Sequence, residues 1–309
     1  MISLMRYDNI LDGQSLSRHL LEQLKLSTQM YANGCRPPHL TILQVGSQTA
    51  STIYIQHKIK AIKTLQFQHT LVKLEPNITN TSLRDLVMIC NEDSTTDGIL
   101  IQLPLPEHID QLTILNSIDP LMDVDGLHPL TTGKHFHQMP TPYMSCTTQG
   151  ILWLLNAYNI QLKSKHVVIL NDSNLVGKPC LAMALEQGAT VTVCHKHTSN
   201  LQVHVEQADV LISAVGQSGI VQPNWLKDQS ILIDVGIQRY GNSVIGDVMI
   251  DDIKERLAYY TPVPGGVGPM TIAALMINLA ASWSNQHHLH FKKDDFINQH
   301  LKTFNTKRD

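Results

Sequence analysis

Tyr54 and Lys58 lie four residues apart, a spacing that puts both on one face of a helix. A tyrosine and a lysine sharing a pocket can position a substrate and move protons, provided desolvation brings the lysine towards neutrality. Lys60 and Lys63 follow on the same stretch, so a solvated lysine face is the competing reading. Gln102 is a polar amide inside the apolar run Gly98-Ile99-Leu100-Ile101-Gln102-Leu103. Such a group has to find partners, either in a structural network or in an active site. Asp123 and Asp125 flank Val124 just ahead of Gly126, where they suit a polar ligand, a metal or a turn. Leu170-Asn171-Asp172-Ser173-Asn174-Leu175-Val176-Gly177-Lys178-Pro179 reads as a strand-to-helix turn, placed for a phosphate at a helix N-terminus. The GxGxxG fingerprint is absent there, and only Gly177 fits its last position. Thr261-Pro262-Val263-Pro264-Gly265-Gly266-Val267-Gly268-Pro269-Met270-Thr271 is a rigid turn that a ligand can approach closely, or else a structural corner.

These residues need elements to hold them. Leu40–Val45, His69–Leu74 and Gly98–Leu103 read as strands, and about Ala50–Leu65 and Thr81–Cys90 as the helices between them. From Asp119 to Cys146 the pattern breaks into a long irregular segment with Pro120, Pro129, Pro140 and Pro142. Thr147–Ala157 reads as a connecting helix. A second strand series follows at Val167–Leu170, Thr190–Cys194, Val210–Ala214 and Ile231–Val235, with helical segments between its early members. Alternation of this kind predicts an α/β fold whose parallel sheet is covered on both faces. The second series is expected to form a Rossmann-like, doubly wound nucleotide-binding domain over 148–283, after a first domain over 1–147. Met270–Trp283 reads as an apolar helix, and the polar, basic tail 284–309 as a helix packing back on the first domain.

Composition narrows the classes further. The chain has 309 residues, 43% hydrophobic and 16% charged, enough for about two domains and unlike a disordered or fibrous protein. With 23 basic against 26 acidic residues there is no electrostatic footprint for nucleic acid. No uninterrupted apolar run approaches the length of a membrane span, and the N-terminus does not read as a signal peptide. Five scattered cysteines make no disulfide framework and point to the cytoplasm. His195/His197 and His287/His288/His290 read as solvated surface histidines, so no metal is expected.

Taken together, the motifs resemble the bifunctional methylenetetrahydrofolate dehydrogenase/methenyltetrahydrofolate cyclohydrolase family, over roughly residues 9 to 283. The matching stretches are Ile10–Gly13; Val45-Gly46 with Ala50-Ser51 and Tyr54–Ala61; Asp97–Pro106; Asp123–Gly126; and Ser173–Pro179. They continue through Val193–His195, Asp234–Ile237, Gly246–Val248 and the Thr261–Thr271 turn, in the family's order and spacing. The resemblance implies an enzyme of folate one-carbon metabolism, feeding purine biosynthesis. It would pass a hydride from 5,10-methylenetetrahydrofolate to a nicotinamide cofactor and open the methenyl product with water to 10-formyltetrahydrofolate. It further implies Lys58 as the catalytic lysine, Tyr54 positioning the folate, Gln102 hydrogen-bonding Lys58, and Asp125 binding the pterin's donor edge. Pro264, Gly265 and Gly266 would border a folate cleft between the domains, and a homodimer is expected. Asn171, Asp172, Ser173, Val176, Gly177, Lys178, Pro179, His195, Lys196 and Ile237 would line the site for NADP, with NAD as the alternative cofactor.

The departures from the pattern concentrate at that cofactor. Asn171-Asp172-Ser173 stands where the family usually has Gly-Arg-Ser, and an aspartate there would repel a 2′-phosphate and favour a free 2′-OH. Lys196 replaces a small residue and is expected to restore positive charge or to pair with Asp172. Ser145-Cys146-Thr147-Thr148 replaces Pro-Cys-Thr-Pro, which predicts a looser connecting segment. Two other readings stay open on these residues: a cyclohydrolase without the oxidation, and a non-catalytic folate-binding paralogue.

Overall fold

The computed structural model describes residues 9–305 except 33, 48, 242 and 252; side chains at 49–51 and 240 are also left aside. The outermost parts of the expected first domain and tail, 1–8 and 306–309, lie outside the described residues. Along the chain run α1 (Gly13–Tyr31), β1 (His39–Val45), α2 (Thr49–Leu65), β2 (Gln68–Leu74), α3 (Asn80–Glu92), β3 (Gly98–Ile101), α4 (Gln111–Asn116), α5 (Pro129–Phe136) and α6 (Cys146–Ala157). There follow β4 (His166–Leu170), α7 (Gly177–Glu186), β5 (Thr190–Cys194), α8 (Leu201–Glu206), β6 (Val210–Ser213) and β7 (Ile231–Asp234). The chain ends with β8 (Gln238–Tyr240), β9 (Ser243–Ile245), β10 (Tyr259–Tyr260), α9 (Val267–Gln286) and α10 (Lys293–Asn305).

Two compact units divide the chain: Arg18–Cys146 with Ile272–Asp309, and Thr147–Thr271 with the stretch ending at Ser17. The boundaries differ from the sequence expectation in two places, each with a hydrogen-bonding reason. Residues 9–13 extend the edge of the central unit's sheet, where Leu11 N donates to Tyr260 O at 2.8 Å and Tyr260 N to Asn9 O at 2.9 Å. The later turns of α9 instead bond into the other unit, Asn278 Nδ2 to Val124 O at 2.9 Å and Trp283 Nε1 to Arg36 O at 2.9 Å.

In the unit built on 18–146, a parallel sheet runs β2-β1-β3. Residues 40–45 of β1 and all of β3 are buried, which explains the apolar run of β3 and the mainly apolar one of β1, interrupted by Thr41 and Gln44. Leu43, Ile99 and Ile101 pack with Leu83 and Val87 of α3. The stretch from Asp119 to Cys146, expected to be irregular, contains α5. His128 Nδ1 accepts from Leu130 N at 3.0 Å, and Pro129 opens the first turn, where a missing N–H costs nothing. Helix α1, α4 and the β8–β9 hairpin likewise stand where no element was expected.

The C-terminal tail forms α10, which buries Phe296, Ile297, His300, Leu301 and Phe304. It meets α1 through His19, whose Nε2 donates to His300 O at 3.2 Å and whose ring lies 5.7 Å from that of Phe304. Lys293 at its start is half-buried, and Nζ donates to Pro142 O.

The central unit carries a five-stranded parallel sheet ordered β10-β7-β6-β4-β5. The chain passes from β4 through α7 to β5 on one side, then returns on the other side of β4 as β6, which is the doubly wound arrangement expected. Val168, Leu170, Leu211 and Leu232 from its strands form the core with Val205, Val221 and Tyr260. Helix α9 is long and apolar enough to cross a bilayer, but 78% of its most apolar window is buried within the protein, as in a core helix.

Candidate active site

Lys58 is set apart from its neighbours on α2. Lys60 and Lys63 are exposed, whereas Lys58 is half-buried and donates from Nζ to Gln102 Oε1 at 3.2 Å. Gln102 sits one residue past β3, its backbone N–H still donating to Leu43 O at 2.9 Å. Its side chain is 8% exposed, and Nε2 donates to Leu103 O at 2.7 Å. That second bond fixes the amide so that its oxygen faces the ammonium. Tyr54 precedes Lys58 by one turn and is 37% exposed. A held ammonium beside an accessible phenol is a pair able to orient a polar substrate and shuttle a proton.

Asp123 and Asp125 take different parts. Asp123 is buried and accepts from His128 N at 2.6 Å, closing the turn ahead of α5. Burial, and more weakly the Asp125 charge, pushes its carboxyl up to about 7. Asp125 is half-buried, and its charge and that of Lys58 act on the Cys146 thiol, which donates to Val124 O at 3.3 Å. Burial, followed by the Asp125 charge, holds that thiol well above its ordinary range, so Cys146 is an inert neutral donor. Asn278, an amide inside an apolar helix, donates to Val124 O and to Cys146 Sγ at 2.9 and 3.5 Å. It therefore fixes the backbone beside Asp125. Asn278 was missed in the sequence, although a buried amide among apolar residues is the same signal that singled out Gln102.

The stretch around Cys146 is tied, not loose as its sequence suggested. Cys146 N donates to Asp125 O at 3.1 Å, and within the central unit Thr148 Oγ1 contacts Cys180 Sγ at 3.4 Å.

In the central unit, the turn after β4 is drawn tightly against its helix. A Cβ on Gly177 would lie 2.0 Å from Asn171 O, so only glycine allows this approach. Gly177→Ala is expected to cost about 2–4 kcal/mol in urea unfolding, because the clash is with backbone that cannot swing away. A cost below 1 kcal/mol would show that the turn has slack. Ser173 Oγ accepts from Val176 N at 3.2 Å, and Lys178 Nζ donates to Asn174 Oδ1 at 2.7 Å. Pro179 is buried, while Asp172, His195 and Lys196 are exposed and Ile237 is 40% exposed. No ion pair joins Lys196 to Asp172 among the described residues, so of the two roles expected for Lys196 the pairing is not seen. The donor set fits a dinucleotide: a glycine cradle, backbone N–H groups at the start of α7, and an exposed lysine just past β5.

Two buried carboxylates beyond the expected set shape the neighbouring loops. Asp247 accepts from Ser213 Oγ, Val215 N and Gln217 N at 2.7, 2.7 and 2.9 Å, ordering the stretch after β6. Asp234 accepts from Gly236 N, Asp247 N and Val248 N, and burial pushes it up to about 7. The Pro264–Gly266 turn is held by Gln14 N donating to Gly265 O at 2.7 Å. Gly265 has a φ of 114°, which a side chain rarely tolerates.

Comparison with known proteins gives matches to both parts. Residues 11–125 match the tetrahydrofolate dehydrogenase/cyclohydrolase catalytic domain, and residues 145–287 the NAD(P)-binding domain of the same description. The "Bifunctional protein FolD" of Mycoplasma mycoides subsp. mycoides SC is 40% identical over 272 residues, 87% of this chain and 94% of that protein. Among solved structures, the bifunctional FolD methylenetetrahydrofolate dehydrogenase/cyclohydrolase of Campylobacter jejuni superposes with a TM-score of 0.86 at 39% identity, covering 89% of this chain and 98% of that one. The Trypanosoma brucei N5,N10-methylenetetrahydrofolate dehydrogenase-cyclohydrolase, complexed with NADP cofactor and inhibitor, follows at 0.85 and 31%, covering 89% and 97%.

Proposed function

The chain belongs to the tetrahydrofolate dehydrogenase/cyclohydrolase family, and we infer from this that it oxidises 5,10-methylenetetrahydrofolate with NADP and hydrolyses the methenyl product to 10-formyltetrahydrofolate. The observation that carries the assignment of residues is the Lys58–Gln102 bond, 3.2 Å long and anchored at its far end on Leu103. Lys58 Nζ holds and moves the proton during water addition and ring opening. Gln102 holds Lys58 in place without taking its charge, because an amide oxygen accepts and does not ionise. Tyr54 positions the folate. Asp125 accepts from the pterin's donor edge, a task for which its Cys146 and Asn278 surroundings keep it placed.

NADP is the hydride acceptor when bound. The residues that would line its site are Asn171, Asp172, Ser173, Val176, Gly177, Lys178 and Pro179 at the β4–α7 turn, with His195 and Lys196 past β5, and Ile237. Lys196 is the exposed cation available to a 2′-phosphate, and Asp172 opposes it. A cytoplasmic homodimer completes the reading. The five free thiols support a reducing compartment.

The test is formation of methenyltetrahydrofolate followed by absorbance, with NADP and NAD in parallel. Turnover with NADP is the expected result. Turnover with NAD alone would make Asp172 the specificity switch. No oxidation with either, in a protein that still hydrolyses methenyltetrahydrofolate, would reduce the function to a cyclohydrolase. Folate binding without any turnover would reduce it to a binding protein.

A further inference from the structure

Asn171 places a side chain where a bound dinucleotide needs bare backbone. It follows β4 at the point where the chain, having gone out through α7 and β5, returns on the opposite side of β4 as β6. Open parallel sheets take their ligands beyond the carboxyl ends of the strands at such a reversal. There, Asn171 Oδ1 accepts from Ser173 N at 2.7 Å and from Gly177 N, the first residue of α7, at 3.2 Å. Its Nδ2 donates to Ala214 O, one residue past β6, at 2.6 Å. One amide thus takes up two backbone donors of the turn and ties the end of β4 to the end of β6.

Those donors are the groups a pyrophosphate would use. A phosphate oxygen is charged and makes stronger hydrogen bonds than a neutral amide oxygen, so it can displace Oδ1. Displacement also breaks the bond to Ala214 and leaves the amide to find new partners, which lowers the net gain. Of the neighbouring side chains, Ser173 Oγ takes the further turn donor Val176 N, and Lys178 Nζ is turned to Asn174.

Resting on the assignment of the central unit as the NAD(P) site, we propose that Asn171 is a latch that occupies the phosphate-binding amides and has to swing aside for the cofactor. It weakens NADP and NAD binding by a common factor. It acts on the pyrophosphate they share and leaves discrimination at the 2′ position to other residues.

Calorimetric titration of the full-length protein with NADP, NAD and adenosine tests this, on the unaltered chain and on Asn171→Gly and Asn171→Ala, with thermal unfolding to confirm that each variant folds. Both variants are expected to bind NADP and NAD about ten-fold more tightly, by the same factor for each. Adenosine, which lacks phosphate, is expected to bind all three proteins equally. Unchanged or weaker dinucleotide binding in the folded variants overturns the latch. So does tightening for adenosine as well, which would show a loosened pocket. A readout needing no variant is the side-chain amide resonance of Asn171 in labelled protein. It should shift as NADP is titrated in, because Nδ2 leaves Ala214; a resonance that stays put through saturation overturns the proposal. Absence of NADP and NAD binding by every protein, the unaltered chain included, would instead overturn the NAD(P) assignment beneath it.

Discussion

Lys58→Met is expected to lower the hydrolysis of methenyltetrahydrofolate by about 10²–10⁴-fold, the range set by losing a positioned proton-transfer group. Methionine keeps the length and apolar stem of the lysine, so the packing of α2 survives. The ammonium is bonded to Gln102 at 3.2 Å and is half-buried, and its loss should leave unfolding in urea within about 0.5 kcal/mol. The deficit should therefore fall on kcat, with NADP affinity measured by calorimetry unaltered. Lys58→Arg is expected to recover little, because a guanidinium keeps the charge but does not give up a proton in the working range. If the methionine variant hydrolyses methenyltetrahydrofolate within ten-fold of the parent, the proton passes through another group and Lys58 is only a solvated neighbour of Gln102.

The largest expected effect on stability lies at Asp97. Its side chain is fully buried, and both oxygens are engaged by Arg36, Oδ2 at 2.6 Å from Nη1 and Oδ1 at 3.0 Å from Nη2. Oδ2 also accepts from His39 N at 2.7 Å, and His287 Nε2 lies 3.3 Å from Oδ1. The main chain of the same residue receives Ser282 Oγ at 2.6 Å and Gln286 Nε2 at 2.9 Å from α9. Asp97 thus joins the start of β1, the start of β3 and the end of α9 within one unit. Asp97→Ala is expected to cost about 3–5 kcal/mol, because it strands a partly covered guanidinium and a buried backbone N–H. Asp97→Asn should cost less, since it keeps one acceptor. Urea unfolding measures both. A cost for alanine below about 1 kcal/mol would mean that Arg36 regains water as easily as it held the carboxylate.

Much of this was legible in the sequence, for reasons that particular segments show. Apart from the two-residue edge strand β10, which was not expected, the strands of the two parallel sheets have four to seven residues, and their positions agree with the expected ones to within a residue or two at most ends. A strand buried on both faces has no alternation to obscure it. Gln102 was legible for the complementary reason, as a polar group that burial obliges to find a partner. Helix α5 was not, because its proline and glycine look like breakers until His128 caps it and Pro129 falls on its first turn. Asp97 and Asp123 were part of recognisable motifs, but their work as junctions depends on Arg36, His39 and His128, which no local spacing connects to them.

By itself, then, the sequence determined the α/β class, the two-part organisation and the family, because residue type and local period carry that information over short stretches of chain. The tertiary structure decided what those residues do to one another. Lys58 and Gln102 are 44 positions apart and meet only because β1 and β3 pair in parallel beneath α2. Asn171 turns from an unexplained departure into a side chain occupying the amides of Ser173 and Gly177 only when β4 and β6 lie side by side and bring Ala214 within 2.6 Å. A hydrogen bond is set within a few tenths of an ångström, and contacts that fine between distant segments exist only once sheet order and register have been chosen.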